Sequence, residues 1–157
     1  MRTSELARQH NRLLELFSKT GTATGGDLEA QAHWAKYLCV LSAGFLENAV
    51  REIYTCYCNG RSSPKVAQFA RKTLARVQNP KTARFLEIAG AFSTEWRTQL
   101  EAFVANEGRG EAINSIMTNR HRIAHGKDTN ISLVRVKEYL RKSIQVVSFL
   151  ERQCEAD

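Results

Sequence analysis

The residues that could do chemistry lie in one string, Asn119-Arg120-His121-Arg122-Ile123-Ala124-His125-Gly126. A histidine with a pKa near neutrality can give or take a proton at physiological pH. An arginine, always charged, stabilises negative charge on phosphate oxygens. On an ideal helix of about 100° per residue, Ile113, Ile116, Met117, Ile123 and Ala124 fall within about 60° of one direction. Arg120 stands at the centre of that apolar stripe. Asn114, Thr118, His121 and His125 gather on an adjacent polar face, roughly 100–160° from Arg120. Gly126 is placed to close the helix, which leaves His125 in its last turn. A guanidinium in an apolar seam needs a partner. Arg120 is therefore a structural residue reaching a carboxylate, with Glu47 the natural choice, or a site residue. His125 is a last-turn histidine favoured by the helix dipole, or a proton-transfer group.

The elements that must position this string read as helices. Residues 4–19 carry Leu6, Leu13, Leu14, Leu16 and Phe17 at helical spacing, and the Thr/Gly-rich stretch 20–26 predicts a flexible break. Asp27 is a good N-cap for a long helix over 28–58, which runs to Asn59-Gly60 with Leu38, Leu41, Phe45, Ala49 and Ile53 on one face. Ser63-Pro64 opens a helix expected to end near Gln78, and Asn79-Pro80 repeats the same start signal. Residues 81–106 read as one kinked helix or two, because Ser93 or Thr94 can restart the helix. Residues 107–110 form a loop, 111–125 the motif helix, and Ser132 caps a final helix bearing Leu133, Val136, Leu140, Ile144, Val147, Leu150 and Cys154. No segment alternates at period two. The expectation is an all-α bundle of about five to six helices, with residues 1–157 as a single domain.

Composition narrows the partners. Hydrophobic content of 43% and charged content of 25% describe an ordinary globular chain, which excludes a disordered or membrane-spanning class. Lys and Arg outnumber Asp and Glu by 23 to 16, giving a net charge of +7 that favours a polyanionic partner. The opening residues carry no signal-peptide pattern and the apolar runs are too short to span a bilayer, so a cytoplasmic protein without a membrane partner is expected. Cys39, Cys56, Cys58 and Cys154 read as free thiols: Cys56-x-Cys58 is too close for an ordinary disulfide or zinc pair. No metal or other cofactor is expected. Lys65, Arg71, Lys72, Arg76, Lys81 and Arg84 make a basic middle region, either a solvated face or a track for phosphates. Tyr54 and Tyr57 read as packing residues.

Arg120, the polar His121, three further residues and His125 reproduce the pattern of HEPN domains, and Ile123-Ala124-His125-Gly126 matches a frequent ending of that motif. Leu46-Glu47-Asn48 on a long second helix, a variable middle and a closing helix extend the likeness. The chain most resembles the RiboL-PSP-HEPN branch. The resemblance implies a helical bundle that dimerises so that two motifs face one cleft. It also implies a metal-independent RNA endonuclease, of the kind found in toxin–antitoxin and phage-defence systems, or a relative that has lost catalysis and binds RNA, nucleotides or proteins, or serves only as a dimerisation module. A toxin of this type would have an antitoxin, such as a nucleotidyltransferase-like protein. Arg120 and His125 take the catalytic positions, Asn119 and His121 supporting ones, and Glu47 is either a site residue or a buried ion-pair partner. Arg122, Lys127, Lys72 and Arg76 are candidate RNA contacts. Lys127 also stands where some relatives carry a tyrosine two residues after the histidine, so control by modification of that tyrosine is not supported here.

Cleavage through the 2′-hydroxyl needs a base for that hydroxyl, charge stabilisation at phosphorus and an acid for the leaving oxygen. Arg120 and His125 point roughly 140° apart on one helix, an awkward angle for a single phosphate. Two copies across a two-fold axis would resolve it.

Overall fold

A computed structural model describes residues 4–156 and contains seven helices and no strand among them. They are α1 (Ser4–Thr24), α2 (Leu28–Arg61), α3 (Pro64–Leu74), α4 (Thr82–Phe92), α5 (Thr94–Val104), α6 (Arg109–Ala124) and α7 (Leu133–Ala156). The all-α expectation holds, with a helix count slightly above five to six. None of the described helices is long and apolar enough to cross a membrane.

At Asp27, Ser132 and Ser93 the local start and stop signals and the structure agree. Asp27 caps α2, accepting hydrogen bonds from the N–H groups of Glu29 and Ala30 at 2.8 and 3.2 Å. Ser132 caps α7, its hydroxyl accepting from the Arg135 N–H at 3.3 Å. Residues 81–106 are two helices. Ser93 ends α4 in an extended conformation and starts α5, its hydroxyl accepting from the Trp96 N–H.

Five boundaries differ: α2 runs through Asn59-Gly60 to Arg61, α6 takes in Arg109 and Gly110 from the expected loop, and three others differ for a tertiary reason. The expected break at 20–26 is helical through Thr24, because Thr20 and Thr24 are buried and the Thr20 hydroxyl donates back to the Leu16 carbonyl. The reversal falls instead on Gly25 and Gly26, both at positive φ. α3 stops at Leu74 rather than near Gln78, since Val77 turns into the core and Arg51 donates to its carbonyl. Asn79-Pro80 does not open α4. The helix begins at Thr82, whose N–H donates to Asn114 Oδ1 at 2.9 Å and whose hydroxyl donates to the Gly110 carbonyl at 2.7 Å.

The long α2 is the axis of the packing and touches α1, α3, α6 and α7. Leu38, Leu46, Val50 and Tyr54 on α2 meet Phe85, Leu100, Ile113, Ile116, Leu140 and Leu150 in one core. Tyr54 stacks on Phe92 at 4.8 Å between ring centres and Tyr57 meets Trp96 edge-on, so both tyrosines pack. α3 lies chiefly against α2, with Phe69 on its outer side 72% exposed.

Candidate active site

Helix α6 carries the motif, and its core stripe places it. Ile113, Ile116 and Met117 are fully buried, each side chain stabilising by about 1.5–3 kcal/mol. One turn further the stripe surfaces: Arg120 and Ile123 are half-buried, and Ala124 is exposed. Cys39 on α2 lies beneath this transition, its thiol donating to the Ile116 carbonyl at 3.6 Å. Burial pushes that thiol up to about 12, against a smaller lowering by a backbone hydrogen bond from Arg120.

The helix ends as Gly126 implies. Its N–H donates to the Ile123 carbonyl at 3.1 Å and the Lys127 N–H donates to the Arg122 carbonyl at 2.9 Å. With Gly126 at φ 64° this is a Schellman turn, and His125 becomes the C-cap residue rather than a member of the last turn. His121 and His125 are both exposed, their ring centres 4.4 Å apart. The Arg122 guanidinium donates twice to the Asp128 carbonyl, at 2.7 and 3.2 Å, which holds the chain beyond the turn against α6. Lys127 is exposed.

Arg120 has no hydrogen bond or ion pair from its guanidinium to any described residue. Glu47, the carboxylate expected to serve it, is committed elsewhere. Its Oε1 lies 2.8 Å from Arg51 Nη2, and its Oε2 accepts from the Asn79 N–H at 2.7 Å. Asn119 is turned along its own helix, the amide donating to the Ser115 carbonyl at 2.9 Å. The structure thus brings Arg120, His121, Arg122, His125 and Lys127 to one end of α6 and leaves Glu47 with other partners.

Lys72 and Arg76 lie apart from this group. Along α2, Lys36 faces Asp128 beyond the motif, whereas Arg51 reaches Val77 just beyond α3. Those two levels are separated by roughly 22 Å of helix. Within one chain, therefore, α3 and the motif occupy opposite ends of α2. Sequence reasoning passed over Arg135 and Tyr139, one turn apart on α7, which line a groove against α6. Only their i, i+4 spacing signalled a shared face. No three His, Cys, Asp or Glu side chains among the described residues come together as a metal-binding group.

No curated protein and no solved structure matches the chain. A family model described as RiboL-PSP-HEPN matches residues 4–156. That match covers every described residue, including all seven helices and the exposed end of α6, and the chain belongs to the RiboL-PSP-HEPN family.

Proposed function

We propose that the protein is a metal-independent endoribonuclease, with residues 1–157 as one catalytic domain, cleaving single-stranded or looped RNA by attack of the 2′-hydroxyl. Family membership supplies the general tie to RNA. The observation that carries the enzymatic reading is the unpartnered Arg120. A structural arginine in an apolar seam holds a carboxylate or backbone carbonyls; Arg120 holds neither among the described residues, and Glu47, the carboxylate expected to serve it, is occupied by Arg51 and the Asn79 N–H.

In this reading Arg120 stabilises charge on the non-bridging oxygens of the scissile phosphate. His125 moves the protons, taking one from the 2′-hydroxyl or giving one to the leaving 5′-oxygen. His121, with its ring beside that of His125, steadies the imidazole orientation. Asn119 supports the backbone at this level, and Arg122 and Lys127 add positive charge along the RNA path. Ile123 and Ala124, surfacing beside Arg120, suit a two-fold contact that sets two motifs around one anionic cleft. A cytoplasmic homodimer acting as a toxin or defence effector fits these properties. An antitoxin, such as a nucleotidyltransferase-like protein, would restrain it.

Purified protein should cut RNA in excess EDTA and leave a 2′,3′-cyclic phosphate, read by mass spectrometry of the 3′ ends. A strict requirement for added Mg²⁺ or Mn²⁺ would overturn the mechanism.

A further inference from the structure

Beside the motif, a groove of about 630 Å³ opens between the second half of α6, residues 128–131 and the first turns of α7. Thr118 on its α6 wall lies about 20° from His125 around the helix, so the groove adjoins the histidine flank rather than the Arg120 flank. Its volume is within the range of small-molecule sites and ample for one nucleotide.

The wall is chemically unlike a phosphate track. A phosphate track offers only positive charge and N–H or O–H donors, whereas a base also calls for acceptors and an aromatic face. Here Asn119 spends one N–H on the Ser115 carbonyl, which leaves its second N–H and its amide oxygen, a donor and an acceptor. Asn130 makes no hydrogen bond to a described residue. Thr129 is 8% exposed, and its hydroxyl has no partner among the described residues. Tyr139 contributes a half-buried ring, and Arg135, on the same face of α7 one turn earlier, has a guanidinium with no described partner. The groove is also held in shape. Arg122 ties α6 to the Asp128 carbonyl, and the Schellman turn fixes the chain between them.

The geometry points to a base-reading subsite: an unpaired base of single-stranded RNA, from the nucleotide adjoining the scissile phosphate, enters this groove. There it stacks on Tyr139, presents its edge to Asn119, Thr129 and Asn130, and leaves its phosphate to Arg135. The assignment of the neighbouring phosphate as scissile rests on the ribonuclease reading; recognition of the base does not. Cleavage would then prefer particular nucleotides, and a base held in a duplex would be excluded.

The test uses four fluorescein-labelled RNA hexamers, one per base, with every 2′-hydroxyl methylated so that none can be cut, and a fifth hexamer lacking bases. Binding is read by anisotropy, and cleavage-site frequencies are read separately on a random RNA pool. Wild type should favour one or two hexamers by about 10-fold over the abasic one, a stacking-scale effect. Tyr139→Ala and Asn130→Ala should flatten that preference, and Tyr139→Phe should keep most of it. Asn130 is exposed in a loop, so its substitution tests the subsite even if Tyr139→Ala loosens the fold. Equal binding of all five hexamers by wild type would overturn the subsite. So would an unchanged preference in folded Tyr139→Ala and Asn130→Ala. Cleavage without base preference would sink the subsite and spare the ribonuclease. Base discrimination by a protein that cuts nothing would do the reverse.

Discussion

Of the three arginines on helix α6, Arg109 at one end and Arg120 near the other have opposite lives. At the N-terminal end Arg109 is saturated. Its Nε donates to Gln145 at 2.9 Å, Nη1 to the Phe103 carbonyl at 3.2 Å, Nη2 pairs with Glu107 at 2.8 Å, and the guanidinium lies 4.1 Å from the Phe103 ring centre. Thr82 and Asn114 add two more bonds to this end of the helix. At the C-terminal end Arg120 has no described partner, and the histidines beside it are exposed. The contrast teaches how a helix can serve two purposes. Arg109 is satisfied internally where the helix is clamped to the fold; at the other end Asn119 and Arg122 are satisfied too, and Arg120 stands apart from them, the pattern that the proposed function requires.

The comparison breaks most visibly by exchanging the two arginines' roles. Arg120→Ala should lower RNA cleavage by at least about 100-fold while leaving the melting temperature nearly unchanged. Arg109→Ala should do the opposite, costing about 2–4 kcal/mol through its stranded partners yet retaining activity below its melting point. Should Arg120→Ala unfold the protein, the two ends would not differ in kind. Calorimetry and a cleavage assay on both variants decide it.

The second test asks whether the unsatisfied end is completed by a second copy. His125→Ala should also lose at least about 100-fold. Mixing it with Arg120→Ala, with subunit exchange verified by labelled chains, should restore up to about a quarter of wild-type activity if each centre draws on both protomers. Proven exchange without recovery would confine each Arg/His pair to one chain.

A smaller effect sharpens the clamped end. Thr82→Val keeps the shape of the side chain but leaves the buried Gly110 carbonyl without its donor. It should cost about 1–3 kcal/mol by denaturant titration, with cleavage intact at low temperature. Smallest is a rate that should stay near zero. With the Cys39 thiol pushed up to about 12 by burial and its side chain wholly inside the core, iodoacetamide at pH 8 should leave it unmodified, while exposed Cys56, itself raised by partial burial and by Glu52, reacts slowly. Rapid labelling of Cys39 under native conditions would show that the motif half of α6 lifts off α2.

The parts of the fold legible in the sequence are those whose causes are local. Asp27, Ser132 and Gly126 act on backbone groups within a few residues, so their types announced caps that the structure contains. The misplaced boundaries at Leu74 and Thr82 depend on distant partners, and the one at Thr24 on the burial of Thr20 and Thr24. Thr82 starts a helix because Asn114 and Gly110, far along the chain, receive its hydrogen bonds. Arg120 stood out because a wheel shows a charge inside an apolar stripe. The wheel could not show that Glu47 would be taken by Arg51. Nor could it assemble the groove, whose walls come from α6, residues 128–131 and α7.

The loose seating of α3 has a consequence for how the molecule comes apart. Because α3 leans chiefly on α2, it can peel away without dismantling the core that α2, α6 and α7 share. Such a helix should open as a foldon of its own, its amides exchanging faster than those of α2 in a hydrogen-exchange measurement. Such an opening would offer Lys65, Arg71 and Lys72 on α3, and Arg76 just beyond it, to a trypsin-like protease. A nick there falls on the side of α2 away from the motif and leaves the helices that carry Arg120 and His125 joined to their core.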